Sequence, residues 1–175
     1  MPVFYGAVDA MSDHVMAGNY WGAGLGNASF DLQPLGGAFD LEDGTAIKVF
    51  AGNRKGDFGV DFEVSLSEHD WKGSNGFATH NAASLIISGV AYHPLTDIVD
   101  LYGKVGLNAW TTTVDFIGTS YEGDNGIGLA LGAGIEIAVS DKFHFRAEYQ
   151  MLNGLEDGID SGDISQVTFS GVYYY

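Results

Sequence analysis

From Phe58 to Ser67 the chain alternates without a break, with Phe58, Val60, Phe62, Val64 and Leu66 on one face and Gly59, Asp61, Glu63, Ser65 and Ser67 on the other. A period of two is that of a strand with one apolar side. The pattern recurs from Leu101 to Ala109, where Leu101, Val105 and Leu107 alternate with Tyr102, Lys104 and Asn108. It recurs from Ile127 to Val139, against Gly, Ala and Glu136, and from Phe143 to Met151, against His144, Arg146, Glu148 and Gln150. Four further segments carry it more loosely: Val3 to Met11, Thr45 to Gly52, Ser84 to Tyr92 and Ser165 to Tyr175. Eight strands are therefore predicted, each close to the about 9 to 11 residues with which a tilted strand crosses a bilayer core.

The connections alternate in length. Asn53 to Asp57, His93 to Ile98 and Ser140 to Lys142 are short, whereas Ser12 to Gly44, Glu68 to Ala83, Thr112 to Gly126 and Asn153 to Asp163 are long. Short turns at one rim and long loops at the other are the asymmetry of bacterial outer-membrane barrels, and an even strand count puts both termini on the short-turn side. The predicted fold is an all-β, eight-stranded antiparallel transmembrane up-and-down barrel, one domain over residues 1–175.

Composition narrows the alternatives. Gly is 26 of 175 residues and charged residues are 17%, against about 7% and 25% in ordinary soluble proteins. No run of roughly 18 apolar residues exists, so a transmembrane helix is not predicted. No basic-then-apolar leader opens the chain, as expected of a mature exported form or of a protein that is not exported. Cysteine is absent, which leaves no disulfide framework and no thiolate metal site. The net charge is -16 with seven Lys plus Arg, and these are too scattered for a nucleic-acid surface. The four long connections hold 14 of the 23 acids and one basic residue, Lys72, so one rim is strongly anionic.

Alternation also fits a soluble ligand-binding barrel with its apolar face inward. The aromatics Phe58, Trp71, Trp110, Phe143, Tyr149, Tyr173 and Tyr175 lie near strand ends, where girdles meet bilayer interfaces. The polar faces mix Gly, Ala and Ser with Lys, Glu and Arg, which suits a narrow packed interior. Hence Val60, Phe62, Leu107, Leu129, Ile135 and Phe145 are expected to face lipid. Lys48, Asp61, Glu63, Lys104, Glu136, Arg146 and Glu148 are expected to form an ion-pair network in the lumen. Arg146 is assigned chiefly to Glu63, with Glu136 or Glu148 as second partner, because one guanidinium presents five donors.

Several segments resemble the transmembrane domain of the outer membrane protein A family. His93-Pro94-Leu95-Thr96-Asp97, then Asp100-Leu101-Tyr102-Gly103-Lys104 and Trp110, looks like its second periplasmic turn and fifth strand. Gly134 to Ser140 and Arg146-Ala147-Glu148-Tyr149-Gln150 look like its sixth and seventh strands. Tyr5-Gly6-Ala7, Gly52, Phe58 and Phe62-Glu63 fit more loosely. The closing stretch, with Phe169, Gly171, Tyr173 and Tyr175, resembles the terminal signal read by the barrel-assembly machinery, with Tyr as the last residue. The resemblance covers most strands and not the long loops, and the family's periplasmic peptidoglycan-binding domain has no counterpart here. It implies export to the bacterial outer membrane, contact with its lipid and lipopolysaccharide, and interior positions for Glu63, Lys104, Glu136, Arg146 and Glu148. Where the family has a lysine late in strand four this chain has Val90, which argues against exchange of partners between two basic residues.

Three other features are weighed for chemistry. The tract Glu156-Asp157-Gly158-Ile159-Asp160-Ser161-Gly162-Asp163 spaces its acids unlike an EF-hand and reads as a solvated loop. Gly22, Gly24 and Gly26 do not complete a dinucleotide fingerprint and are expected in a mobile or hairpin-forming first loop. Ser67, Glu68, His69, Asp70, His80 and Ser84 offer the residue types of a lipid A-modifying barrel enzyme, yet strand neighbours point to opposite faces and no motif is matched. The expected protein is a monomeric, non-enzymatic outer-membrane barrel without cofactor or metal. Its loops face outside the cell, and a minor small-ion leak can pass a charge-plugged lumen.

Overall fold

The computed structural model describes residues 17–31, 44–73, 76–116, 119–154 and 163–175, with side chains placed for 18–29, 44–68, 81–113, 125–153 and 164–175. Eight strands form one closed antiparallel barrel in chain order: β1 (Ala17–Asp31), β2 (Gly44–Lys55), β3 (Phe58–Gly73), β4 (Gly76–Pro94), β5 (Val99–Phe116), β6 (Thr119–Ala138), β7 (Phe143–Gly154) and β8 (Asp163–Tyr174). Closure is made by β1 against β8, from Tyr20↔Tyr174 to Asp31↔Asp163. With no free edge around the barrel, backbone donors and acceptors are satisfied by neighbouring strands.

The first strand differs from expectation. Val3 to Met11 lies outside the described residues, and β1 is instead Ala17–Asp31, inside the segment read as the first long loop. Gly22, Gly24 and Gly26 are therefore strand residues and not loop residues. They interrupt the apolar pattern, which is why they read as breakers, but their face is the crowded inner one. A Cβ at Gly22 would meet the Phe50 ring and the Gly171 carbonyl, and one at Gly26 would meet the backbone of Val167 and Thr168.

Several strands also run past their apolar alternation. β3 to β6 have 16, 19, 18 and 20 residues, against 12 for β2, β7 and β8. The β3–β4 ladder continues to Gly73↔Gly76 and the β5–β6 ladder to Phe116↔Thr119, so much of the two middle long connections is strand. Past the apolar belt the outward face need not be apolar, and the hydropathy signal ends before the hydrogen bonding does.

The opposite rim has tight turns. Gly56-Asp57 joins β2 to β3, and Gly56 at φ 63° occupies the left-handed region that a side chain disfavours. Thr96 Oγ1 accepts from the backbone amides of Ile98 and Val99 at 3.3 and 3.1 Å, and Ser140 Oγ accepts from that of Phe143 at 3.1 Å, fixing the other two.

The two faces separate as the period requires. Val60, Phe62, Leu107, Leu129, Ile135 and Phe145 are all exposed on the outer wall, within a belt that includes Leu25, Ile47, Val64, Leu85, Val105, Leu131 and Phe169. So large an apolar exterior is that of a barrel whose outside solvent is hydrocarbon. Phe58, Phe143, Tyr149 and Tyr175 are exposed, and Tyr173 packs between Trp21 and Phe143 at 6.1 and 5.3 Å. Trp110 departs from the expected girdle: it shares the inward parity of Lys104 and Asn108 and is half-buried. Trp21 stands outward instead, on the strand that the sequence pattern missed. The side chain of Trp71 lies outside the described residues.

Candidate functional site

Every charged residue expected in the lumen is buried there: Lys48, Asp61, Glu63, Lys104, Glu136, Arg146 and Glu148 are each at most 5% exposed. Their partners form two clusters stacked along the barrel. In the first, Lys48 Nζ lies 2.6 Å from Glu148 Oε1 and 3.7 Å from Glu63 Oε2, while Lys104 Nζ lies 2.7 Å from Glu63 Oε2 and 2.9 Å from Glu148 Oε1. Two ammonium groups share two carboxylates, and Tyr102 donates its hydroxyl to Glu148 at 2.7 Å.

The second cluster surrounds Arg146. Its Nε and Nη2 donate to Glu136 Oε2 at 3.0 and 2.6 Å, Nη1 to Asp61 at 3.2 Å and Nη2 to the Tyr92 hydroxyl at 3.2 Å. The rings of Phe50 and Tyr102 each lie 4.9 Å from the guanidinium carbon. Glu136 also receives the Tyr174 hydroxyl at 2.8 Å and faces His144 Nδ1 at 2.8 Å, while Tyr20 donates to Asp61. The expected pairing of Arg146 with Glu63 is thus not made. Glu63 is taken up by the two lysines, and Asp61, one inward step nearer the short-turn rim on β3, reaches Arg146 instead.

Seven described members of the lumen network were not assigned from sequence: Arg54, Asp100, His144 and the hydroxyls of Tyr20, Tyr92, Tyr102 and Tyr174. Arg54, placed in a short turn by the pattern, is buried and donates to Asp100 at 2.6 Å while its guanidinium lies 3.9 Å from the Tyr92 ring centre. Asp100 was placed outside strand five, and His144 was seen on the polar face of strand seven without a partner. Tyr20 lay in the supposed first loop. Their signal was parity, since Arg54 continues the face of Lys48, Asp100 that of Lys104, and His144 that of Arg146. Val90 is buried beside Tyr92 and Tyr102. The second ammonium at the Glu63–Glu148 site comes from Lys48 on β2, so the absence of a lysine at 90 does not leave that site with one cation.

Towards the long-strand rim the lumen changes character. Ser65 Oγ and Gln166 Oε1 meet at 3.1 Å. One inward-facing position beyond Lys48, Ser84, Gln150 and Gln166 come Ala46, Ala82, Leu152 and Ile164, part of an apolar cluster that also holds Ala28, Ile86 and Ala130. Ions passing the barrel would cross this apolar layer and both charged clusters, and each buried charge is already compensated.

Of the residues weighed for catalysis, the side chains of His69, Asp70 and His80 lie outside the described residues. Ser67 and Ser84 are buried while Glu68 is exposed on the outer face; the register sets His69 opposite His80. The acidic tract Glu156 to Gly162 lies outside the described residues. Phe169, Gly171 and Tyr173 share the outward parity of β8, and Tyr175 follows them.

The profile of the family described as outer membrane protein beta-barrel domain matches residues 4–173. Outer membrane protein A of Escherichia coli O157:H7 is 27% identical over 103 residues, which are 56% of this chain and 29% of that relative. Among crystal structures, Neisserial surface protein A aligns over 90% of this chain and 97% of its own, with a TM-score of 0.73 and 17% identity. Ail, the attachment invasion locus protein of Yersinia pestis, crystallised with the heparin analogue sucrose octasulfate, aligns over 91% and 99% with a TM-score of 0.64 and 17% identity. OprG of Pseudomonas aeruginosa aligns over 91% and 98% with a TM-score of 0.61 and 16% identity. At such identities the solved structures speak to the fold.

Proposed function

The chain belongs to the outer membrane protein beta-barrel domain family, and from that premise we propose that it is a non-enzymatic, self-sealing barrel of a bacterial outer membrane whose acidic loops form its interacting surface. The observation that carries this reading is the doubly bridged Lys48, Lys104, Glu63 and Glu148 cluster in the lumen. A constitutive pore would keep its lining charges hydrated, whereas here each described buried charge in the lumen has a protein partner of opposite sign. Conduction is then limited to rare rearrangement of these pairs. The wall contacts outer-membrane lipid and lipopolysaccharide, and the outward aromatics at the end of β8 serve insertion by the barrel-assembly machinery.

Ail was crystallised with a polyanion, and the charge of this chain argues for a different kind of ligand. The strand ends and connections at the long-strand rim hold 13 acids, those of the four long segments other than Asp13, and a single Lys, so polyanions are repelled and cationic surfaces attracted. Planar-bilayer recording tests the sealed lumen: the wild type should show no steady conductance, and Glu148→Ala should raise it. A stable wild-type channel of porin size would overturn the reading. Binding of labelled polycations to cells displaying the protein should weaken as salt rises.

A further inference from the structure

We propose that the outer wall of β2 to β6 carries a seat for a membrane lipid with an ammonium headgroup, an aminophospholipid of the phosphatidylethanolamine class. Two hollows of about 580 and 560 Å3 adjoin there, and Ala83 and Thr111 line both. Three successive rungs of the sheet cross them. The first, Val64, Leu85, Ala109 and Ile127, is wholly apolar. The second runs from Ile47 and Leu66 through Ala83 to Thr111 and Asn125, and the third holds Thr45, Glu68, Asn81 and Thr113. All share the outward parity and none is buried. The floor is low because Ala83 and Ala109 are small beside Val64, Leu66, Leu85 and Ile127. At its edge the β5–β6 register shifts between Thr111 and Thr113, and such a bulge bends its strand and increases the local twist.

The polarity of these rungs selects the occupant. A purely aliphatic one would cover the Glu68 carboxylate and the hydroxyls of Thr45, Thr111 and Thr113 without offering them partners. A purely polar one would leave Val64, Leu85, Ala109 and Ile127 wetted. An amphiphile satisfies both, with an acyl chain along the apolar rung and its head at the level of Glu68. Charge then chooses the head. Among the described residues lining the two hollows none is basic and Glu68 is the one carboxylate, so an ammonium is attracted and a net anionic head repelled. Threonine hydroxyls donate to oxygen acceptors, which the phosphodiester of a zwitterionic head presents beside its ammonium. The seat rests on the reading that this wall contacts membrane lipid, and it adds which headgroup the long-strand half selects.

Trp110 and Gly126 line the same hollow, and a Cβ at Gly126 would stand 2.9 Å from the Trp110 ring, so Trp110 fluorescence reports what occupies it. The test uses the full chain with Trp21→Phe and Trp71→Phe, which keeps Trp110 alone of the three tryptophans. It is folded into phosphatidylcholine vesicles and quenched by lipids with dibrominated chains, with folding of every variant checked by its heat-dependent gel mobility. Dibrominated phosphatidylethanolamine should associate at Trp110 about 2- to 5-fold more strongly than dibrominated phosphatidylglycerol, the range of one exposed ion pair. Glu68→Gln should abolish this preference and Glu68→Arg reverse it. Filling the hollow with Ala83→Leu and Ala109→Leu should remove it while the carboxylate stays. Equal association of the two lipids, or a preference that persists in Glu68→Gln or in the filled variant, would overturn the seat and leave the lipid-facing wall intact. Absence of quenching by either lipid would overturn both.

Discussion

Arg146 of β7 and Asp61 of β3 stand on strands four apart in an eight-strand ring, so their 3.2 Å contact spans the full width of the lumen. Such a bond braces opposite walls against each other. Its geometry also limits who can replace whom, because Glu63, one inward step away on the same strand, is committed to Lys48 and Lys104.

Double-mutant cycles should therefore separate the two clusters. Asp61→Ala leaves Arg146 short of an acceptor and Tyr20 without its carboxylate; breaking a dry buried pair costs about 3 to 5 kcal/mol. The cycle of Asp61→Ala with Arg146→Ala should show coupling in urea unfolding from lipid vesicles. The cycle of Glu63→Ala with Arg146→Ala should be nearly additive, while Glu63→Ala with Lys104→Ala recovers part of the loss. Strong Glu63–Arg146 coupling would contradict the observed pairing.

Within the second cluster, Glu136 should matter more than Asp61. It accepts two bonds from Arg146 and one from Tyr174 and faces His144. Glu136→Gln should lower the unfolding midpoint further than Asp61→Asn, since it strips charge from the residue on which most donors converge. Equal midpoints would show that water substitutes freely at Glu136.

The polar belt offers an opposite sign. Gln150 is fully buried and neither its Oε1 nor its Nε2 has a protein partner. Replacing an unsatisfied buried amide by an apolar group of similar size is close to neutral or stabilising, so Gln150→Leu should hold or raise the midpoint. A large loss would identify the amide as bonded to lumen water.

On the outer wall the sign reverses again. Leu107→Arg should cost about 2 to 4 kcal/mol if its position is near the bilayer midplane, whereas Glu68→Arg beyond the belt should change little. Paramagnetic lipid probes should broaden Val105 and Leu107 and spare Lys104. Broadening of Lys104 in their place would invert the faces.

Barrel closure itself can be probed at Gly22. Gly22→Val places two methyl groups where the Phe50 ring and the Gly171 carbonyl already stand, so β1 cannot seat between β2 and β8. The heat-modifiable species should disappear from gels, while Trp21→Val on the outward face keeps it. A folded Gly22→Val barrel would place β1 elsewhere in the chain.

Strand type, strand count and the direction of each face were legible in the sequence because they depend on neighbours two residues apart. Phe58 to Ser67 shows its apolar side and its polar side with no help from the rest of the chain. The location of the first strand was not legible, because Gly22, Gly24 and Gly26 are small for the sake of Phe50 and the β8 backbone across the interface. The full length of β4 and β6 was hidden as well, since beyond the bilayer the backbone ladder continues where alternation has no solvent contrast to sustain it. By itself the sequence determined that the charges on the alternating strand faces go inside, though not that Arg54 and Asp100 at the strand ends join them. Only the closed barrel, through the register of strands far apart in the chain, decided that Arg146 meets Asp61 and Glu136 and that Glu63 meets two lysines. A pairing across the lumen depends on strand order, tilt and register taken together, and no single strand carries that information.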